Sequence, residues 1–165
     1  SSVSDDCTIA SIEYIDTESG TCPVIVTRTF TVSDPCGNTT TCAQTITIDD
    51  TTPPSLTCPT DITVEGCDAS ELTNGSLTGL AFSTTSVVIT EADYLLETGS
   101  SGSDECTNAS IEYIDTEAGT CPVIVTRTFT VSDTCGNITT CAQTITIDDT
   151  TPPPLTCPQD ITVEG

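Results

Sequence analysis

Residues 123–131 read Val-Ile-Val-Thr-Arg-Thr-Phe-Thr-Val, and this stretch decides the fold class. From residue 126 onward every second residue is Thr, and the positions between are apolar apart from Arg127. Successive side chains of a β-strand point to opposite faces, so the alternation predicts a half-buried strand. The predicted inward residues are Val123, Val125, Phe129 and Val131, and the predicted outward residues are Thr126, Thr128 and Thr130.

The same alternation continues in residues 139–148. Cys141, Ile145 and Ile147 share one parity and are predicted to point inward, whereas Thr144 and Thr146 are predicted to point outward. Two consecutive strands of this kind, joined by a short turn, predict a β-hairpin.

Arg127 shares the inward parity of Phe129 and Val131. An unpaired buried guanidinium is costly, so we predict an acidic partner on an adjacent strand. The alternative is an Arg at a strand edge that extends its charged end to water. In either case we predict a structural role, which Arg28 shares.

Working outward from these strands, β-branched residues dominate and no stretch keeps a 3.6-residue period, so the chain is predicted to be all-β. About seven strands in 99 residues predict an immunoglobulin-like β-sandwich. The predicted strands are residues 61–65, 77–83, 86–90, 109–115, 122–132 and 139–148, and residues 91–97 form a short strand or a helical turn.

The sequence repeats with a period of 99 residues: residues 1–66 align with residues 100–165 with only eight differences. We therefore predict a tandem array of immunoglobulin-like repeats. Residues 1–49 are then the C-terminal half of a preceding repeat, residues 50–148 one complete repeat, and residues 149–165 the first strand of the next. Asp-Asp-Thr-Thr-Pro-Pro, at 49–54 and again at 148–153, predicts a stiff extended joint because its prolines fix φ and remove backbone donors.

The charge is strongly one-sided: two Arg, no Lys and no His stand against 25 acidic residues, for a net charge of −23. A nucleic-acid partner is excluded because it requires a basic surface, and an anionic membrane surface would repel the chain. No apolar run is long enough to predict insertion into a membrane. The expected partners are neighbouring repeats of the same chain, with divalent cations as ligands.

Eleven Cys in a 17.1 kDa chain without His predict disulfides, and hence an extracellular or otherwise oxidising compartment. The sequence shows neither an initiator Met nor a signal peptide, so an internal segment of a secreted protein is expected. Few aromatic residues predict a thin core that disulfides must support.

The order of the predicted strands pairs the cysteines. Strands that alternate in direction bring together Cys58 with Cys141, Cys106 with Cys135, and Cys67 with Cys121, and in the preceding copy Cys7 with Cys36. Cys22, Cys42 and Cys157 are then expected to have their partners in the parts of their own units that lie outside these 165 residues. The rival is pairing between sequence neighbours, which we disfavour because Cys106 and Cys121 would lie about 20 Å apart at opposite ends of a hairpin.

Acidic residues concentrate at the predicted ends of each unit, and we predict Ca²⁺ at the joints, since Ca²⁺ accepts six to eight oxygen ligands in flexible geometry. The alternative is a solvated acidic surface. The candidate ligands are Asp49, Asp50, Asp148, Asp149, Asp115, Glu117, Asp104 and Glu105, with Glu65, Asp68 and Asp133 expected at the same ends.

Two motifs carry a family resemblance. Residues 156–163 read Thr-Cys-Pro-Gln-Asp-Ile-Thr-Val, and residues 129–137 read Phe-Thr-Val-Ser-Asp-Thr-Cys-Gly-Asn, followed by Thr140-Cys141. They resemble the opening strand and closing hairpin of the hyalin repeat (HYR) family, and in particular the tandem repeats of giant Bacteroidetes surface adhesins of the gliding-motility and type IX-secreted kind. The resemblance implies immunoglobulin-like domains, extracellular display, an adhesive or stalk role, and a bond between the opening and closing Cys. Cys67, Cys106, Cys121 and Cys135 depart from the simplest family pattern.

Asp-Thr-Thr at residues 50–52 and 149–151 is similar to an O-glycosylation motif of Bacteroidetes proteins, which implies glycans on Thr51 and Thr150.

Catalysis is not expected, because neither His nor Lys is available as a base and the thiols are expected to be oxidised. The chain is therefore predicted to be a structural stalk or filament segment of a surface adhesin and not an enzyme. The alternative is a repeat that itself binds glycans or other surface proteins through residues 68–102.

Overall fold

The structure, a computed structural model, describes residues 4, 6, 8–74, 79–104 and 108–165, without the side chains of residues 73, 74, 108 and 109. Alternating β-branched residues form most of its regular structure. The strands are β1 (Ser11–Ser19), β2 (Val24–Ser33), β3 (Thr39–Ile48), β4 (Ser55–Thr57), β5 (Ile62–Glu65), β6 (Val87–Ile89), β7 (Ser101–Ser103), β8 (Asn108–Ala118), β9 (Val123–Asp133) and β10 (Ile138–Asp148). A 3-10 helix (Ala69–Asn74) and α1 (Glu91–Leu95) complete the described elements.

The first sheet is an antiparallel meander in the order β1-β2-β3, with Val24 opposite Ile48 and Ser33 opposite Thr39 at the two ends of the β2–β3 pair. Gly20, in the β1–β2 turn, has a φ of +80°, and a Cβ there would lie 2.6 Å from the Pro23 carbonyl oxygen. Gly119 occupies the same place before β9, with a φ of +84°. Only glycine adopts this conformation without strain, so the two copies share one turn.

The second sheet has five strands in the order β5-β10-β9-β8-β6, and β4 pairs separately with β7. β5 runs parallel to β10, with Ile62 opposite Ile145 and Val64 opposite Ile147. β5 is the first strand of this sheet in the sequence and β10 is the last. The two are direct neighbours in the sheet. β3, the equivalent of β10 in the first copy, has β2 as its one strand partner among the described residues.

The predicted inward and outward faces are confirmed except at Cys141, which is half-buried like the outward residues. Every odd-numbered residue of β9 is buried and every even-numbered one is half-buried, and Ile145 and Ile147 of β10 are buried as well. Tyr94 of α1 packs edge-on against Phe129 with ring centroids 5.1 Å apart. The main apolar cluster consists of Val64, Ala69, Leu72, Val123, Val125, Ile145 and Ile147.

Contacts between Cα atoms divide the chain into two compact units. One unit comprises residues 1–56, 102–111 and 130–140, and contains the β1-β2-β3 sheet and most of the β4–β7 pair. The other comprises residues 57–101, 112–129 and 141–165, and contains the apolar cluster, α1 and β5. β8, β9 and β10 each contribute residues to both units.

The prediction of a mostly β chain is confirmed, and five of the six predicted strands are found with small shifts at their ends. The sixth, at 77–83, is wrong for residues 79–83, which form a bend and irregular backbone; residues 77 and 78 lie outside the described residues. Residues 91–97 take the helical alternative, because Thr90 and Asp93 form a capping box in which each side chain accepts a bond from the other's backbone N–H. β4 and β7 were not predicted, since three residues are too few to show a period.

The structure forms the expected disulfide between Cys58 and Cys141, with Cα atoms 5.6 Å apart. A second bond joins Cys22 to Cys135, so Cys135 does not form the expected pair with Cys106, which lies outside the described residues. The bond also overturns the expectation that Cys22 has its partner outside these 165 residues. It forms because the β1–β2 turn approaches the β9–β10 turn, a contact that the order of strands within one unit does not indicate. Cys67 and Cys121 are exposed free thiols, contrary to their predicted pairing, as is Cys36, whose expected partner Cys7 lies outside the described residues.

Candidate metal centre

Three aspartates from separate parts of the chain converge at one place. Asp133 ends β9, Asp104 directly follows β7, and Asp50 lies in the joint after β3. One carboxylate oxygen from each lies within 4.8 Å of the others. In the part of the chain that the structure describes, this is the one group of three or more carboxylates, thiols or imidazoles that could hold a metal ion.

Asp133 is fixed by the tight turn between β9 and β10. Its Oδ1 accepts bonds from the backbone N–H groups of Cys135 (2.7 Å) and Asn137 (2.9 Å), and its Oδ2 accepts one from Asn137 Nδ2 (2.8 Å). Burial opposes ionisation of Asp133, but these hydrogen bonds outweigh it and hold the pKa of the carboxyl below its usual value. Asp133 therefore contributes a full negative charge at neutral pH.

Asp50 is positioned by the same turn. Asn137 Nδ2 also donates to the Asp50 carbonyl oxygen (2.9 Å), and Thr139 Oγ1 donates to the Pro54 carbonyl oxygen (2.6 Å). The Asp50 carboxylate accepts a bond from the Thr52 N–H through Oδ1 (2.9 Å). The proline-containing joint is thus fastened at two of its carbonyls, which holds Asp50 in place.

Two other carboxylate oxygens of this group lack partners. Asp50 Oδ2 and Asp104 Oδ2 are both inaccessible to solvent and accept no hydrogen bond in the described structure. Buried polar atoms are nearly always paired, because an unpaired one loses its hydration without compensation. Negative charges within 4.8 Å of one another also repel by at least about 3.5 kcal/mol at an effective dielectric constant of 20. A cation would satisfy both requirements, and an all-oxygen donor set suits Ca²⁺.

The other predicted metal ligands lie elsewhere. Asp115 is bonded to Arg127, Asp149 Oδ1 accepts from the Thr151 N–H, and Asp148 Oδ1 lies 3.9 Å from Cys121 Sγ. Asp49 and Glu117 are exposed and are not members of the three-aspartate group. Glu105 lies outside the described residues. Of the predicted set, the structure thus brings together Asp50 and Asp104, and adds Asp133, which had been expected at the same end.

Arg127 is fully buried and paired with Asp115 of β8, as its parity predicts. The pair is bidentate: Nε donates to Oδ1 (2.8 Å) and Nη2 to Oδ2 (2.9 Å). Nη1 and Nη2 also donate to the Leu80 and Ala81 carbonyls, and the guanidinium lies 4.6 Å from the Tyr113 ring centroid. The site is a structural ion pair that ties residues 80 and 81 to the sheet.

The predicted glycan acceptors differ in their surroundings. The Thr150 hydroxyl donates to Glu65 Oε2 (2.7 Å), and its N–H donates to Glu65 Oε1 (2.8 Å). These bonds, with those from Thr151, hold the pKa of the Glu65 carboxyl below its usual value. Thr51 and Thr150 are both exposed. Glycosylation of either stays a prediction.

Glu97, just after α1, is a buried acid that no sequence pattern singles out. Its side chain is 5 % exposed, and its Oε1 accepts no hydrogen bond among the described residues. Burial raises the pKa of Glu97, although Arg127 and the Gly79 N–H partly oppose this rise. The carboxylate is therefore destabilising once it ionises.

Glu97→Gln is expected to raise the melting temperature at pH 7 by about 2–4 °C, the shift that about 1 kcal/mol produces in a chain of this size. Because the folded pKa of Glu97 lies above its unfolded value, its favourable contribution is complete below the unfolded pKa and declines as pH rises through the folded pKa. The variant and the parent should therefore melt together at pH 4, as measured by circular dichroism. Glu91→Gln, at an exposed position of α1, is the control. An equal rise in melting temperature at pH 4 and at pH 7 would contradict the raised pKa of Glu97.

Comparison with family models and with curated proteins finds no match to this chain. Neither helix of the described structure is long and apolar enough to cross a membrane. The disulfides point to an oxidising, non-cytoplasmic environment.

Proposed function

We propose that the chain is a segment of a rigid extracellular stalk built from tandem immunoglobulin-like repeats, as in a bacterial surface adhesin. The observation that carries this proposal is the near-identity of residues 1–66 and 100–165, which forms the same three-stranded meander twice. An array of equal units requires repeats that are nearly identical. Catalytic sites are not usually duplicated with so few changes.

The backbone of the joint at residues 49–54 supports the proposal of a rigid stalk. Its backbone combines two prolines with carbonyls that accept bonds from Asn137 and Thr139, so few of its torsions are free. A flexible linker would instead be rich in Gly and Ser and would leave its carbonyls to water. We infer that successive 99-residue repeats of the proposed stalk keep a fixed orientation.

The test is small-angle X-ray scattering on chains that carry two, four and six copies of the 99-residue repeat. A rigid array should lengthen in proportion to the number of repeats, whereas flexibly joined units should lengthen roughly as its square root. Replacing both Pro53 and Pro54 by Gly, with the equivalent residues in every copy, is the matched control and should shorten the particle. Square-root growth in the parent array, together with glycan binding by the repeat, would favour the alternative of a binding module.

We further propose that Asp50, Asp104 and Asp133 bind Ca²⁺ in these repeats. The observation is the pair of buried carboxylate oxygens without partners. A bound cation would join the joint to β9 and to the segment after β7, and would remove the repulsion between the three charges. Backbone carbonyls and water would complete the coordination.

Ca²⁺ at 100 times its dissociation constant is expected to stabilise the chain by about 2.7 kcal/mol, which raises the melting temperature measured by calorimetry. Asp104→Asn should abolish this rise, and so should Asp50→Asn. Asp149→Asn, which changes an exposed joint residue outside the group, should leave it unchanged. Loss of the rise in all three variants, or no rise in the parent, would argue for a solvated acidic cluster.

A further inference from the structure

The Cys22–Cys135 disulfide joins the two copies of the repeated sequence. Cys22 lies in the first copy and Cys135 lies in the second. The two cysteines are not equivalent positions of the repeat: the equivalent of Cys135 in the first copy is Cys36, and the equivalent of Cys22 in the second copy is Cys121. Each copy therefore carries both halves of such a bond.

The two halves stand at opposite ends of one strand. Cys22 precedes β2 and Cys36 follows it, and Cys121 and Cys135 have the same places around β9. β2 has 10 residues and is about 33 Å long at about 3.3 Å per residue, whereas the Cα atoms of bonded cysteines lie within about 7 Å of each other. A bond between the two halves can therefore form only between different copies.

The half that precedes the strand has the same surroundings in both copies. Cys22 Sγ lies 4.0 Å from Asp49 Oδ1, and Cys121 Sγ lies 3.9 Å from Asp148 Oδ1. Asp49 and Asp148 are equivalent positions and begin the two Asp-Asp-Thr-Thr-Pro-Pro joints. Cys121 is thus held beside its joint in the way that Cys22 is held beside the first joint.

The half that follows the strand is also built alike in both copies. Asp34 Oδ1 accepts bonds from the backbone N–H groups of Cys36 (2.8 Å) and Asn38 (2.9 Å). Asp133 Oδ1 holds the turn of Cys135 in the same way. The turn forms at Cys36, which is a free thiol, as well as at Cys135, which is bonded, so it does not depend on the disulfide.

The bond bridges the joint at residues 49–54. Cys22 lies beside Asp49, and the turn of Cys135 also holds the joint, since Asn137 Nδ2 donates to the Asp50 carbonyl oxygen (2.9 Å). The first copy is therefore connected to the second by a disulfide as well as by the backbone of the joint.

We propose that every joint in an array of these repeats carries this bond, so that Cys121 is the point of covalent attachment for the next repeat, through that repeat's equivalent of Cys135. Cys36 likewise bonds to the Cys22 equivalent of a preceding repeat. Because the two halves lie at opposite ends of one strand, the bonds link successive repeats head to tail in a line. The inference rests on the tandem array of the proposed function but not on the rigidity of that array.

Formation of each bond removes one proton and one electron from each of two thiols. Glutathione disulfide accepts the electron pair and the two protons and becomes two glutathione thiols, through a mixed disulfide intermediate. The proteins are therefore refolded in a buffer of oxidised and reduced glutathione.

The bond within the 165-residue chain is tested by a cut in the backbone. Asp34–Pro35 is the one Asp-Pro bond of the sequence, and dilute formic acid cleaves such bonds selectively. In a Cys7→Ser background, Cys22 is the only cysteine before the cut. The two fragments should therefore stay linked on a denaturing gel until a reductant is added. Cys135→Ser should separate them without reductant, whereas Cys67→Ser, which removes an exposed free thiol, should not.

The attachment of a further repeat is tested in a chain extended by a second copy of residues 67–165. This chain and the 165-residue chain both carry Cys36→Ser, so that Cys121 cannot bond to Cys36 of a second molecule. Each is refolded and then unfolded in urea with iodoacetamide, which labels free thiols. A protease that cuts at acidic residues releases the Cys121 peptide for mass spectrometry. Cys58 should stay unlabelled throughout, which shows that the chains have folded.

Cys121 is expected to be fully labelled in the 165-residue chain. Its peptide occurs twice in the extended chain, and half of it should be labelled there, because one of the two is followed by a further repeat. Replacing the added segment's equivalent of Cys135 by Ser should restore full labelling, whereas replacing that of Cys67 should leave it at half.

Full labelling of Cys121 in the extended chain would overturn the proposal. So would a bond from Cys121 to another cysteine of the 165-residue chain, or acid fragments that separate without reductant. These failures are distinct from failure of the stalk: full labelling with linear growth in the scattering test would remove the bond and keep the rigid array, and half labelling with square-root growth would do the reverse.

Discussion

Arg127→Met is expected to lower the free energy of unfolding by about 3 to 5 kcal/mol. The substitution preserves much of the apolar stem but leaves Asp115 as a buried charge without its bidentate partner. It also removes the donors to the Leu80 and Ala81 carbonyls. Urea unfolding of the 165-residue chain at pH 7, followed by circular dichroism, measures the change.

Arg28→Met is the matched control for this prediction. Arg28 makes the same bidentate bond to Asp16 in the first copy, but the two side chains are 33 % and 31 % exposed. Solvent-exposed ion pairs contribute little to stability, so this variant should unfold almost as the parent does. The double variant Asp115→Leu/Arg127→Met should recover part of the loss, because it removes both buried charges. Equal effects of the two Arg variants would show that burial of the pair does not determine its importance.

Loss of the Cys58–Cys141 disulfide is expected to cost about 4.5 kcal/mol. The bond closes a loop with a sequence separation of 83 residues, and the entropy that it removes from the unfolded chain gives this value. The variant to measure is Cys58→Ser/Cys141→Ser, which leaves no unpaired thiol at the site. Its midpoint of urea unfolding should fall well below that of the parent under non-reducing conditions.

Cys67→Ser is the control for the disulfide prediction, because Cys67 is an exposed free thiol. Its unfolding midpoint should match that of the parent. A reducing agent should lower the parent to the level of the double variant and leave the double variant much less affected. A double variant as stable as Cys67→Ser would mean that the bond contributes little to the folded state.

The alternation of residues 123–131 was sufficient to predict the buried face of β9, because a strand has only two faces and one of them must be apolar. The same parity placed Arg127 inside and required an acid beside it. Asp104 and Asp133 were expected at one end of the unit because both lie at the predicted ends of strands. These predictions depend only on local periodicity and on the order of strands.

The remaining features depend on contacts between distant parts of the chain. Arg28 and Arg127 have the same neighbours in sequence, yet one pair is partly exposed and the other is fully buried. In the second copy, residues 80 and 81 also cover the pair, and their carbonyls accept bonds from Arg127. Likewise, the Cys22–Cys135 bond joins turns 113 residues apart, and no pattern within either copy indicates it.

The parallel pairing of β5 with β10 has a consequence for a chain that is pulled at its two ends. Once the Cys58–Cys141 bond is reduced, opposite tension on the start of β5 and the end of β10 acts along the strands, so their hydrogen bonds resist together in shear and do not unzip one by one. While Cys58 and Cys141 are bonded, the tension passes through the disulfide and bypasses the residues between them. Reduction would release that loop, roughly 280 Å of extended chain at about 3.4 Å per residue. The redox state of one bond therefore sets how far each unit can stretch.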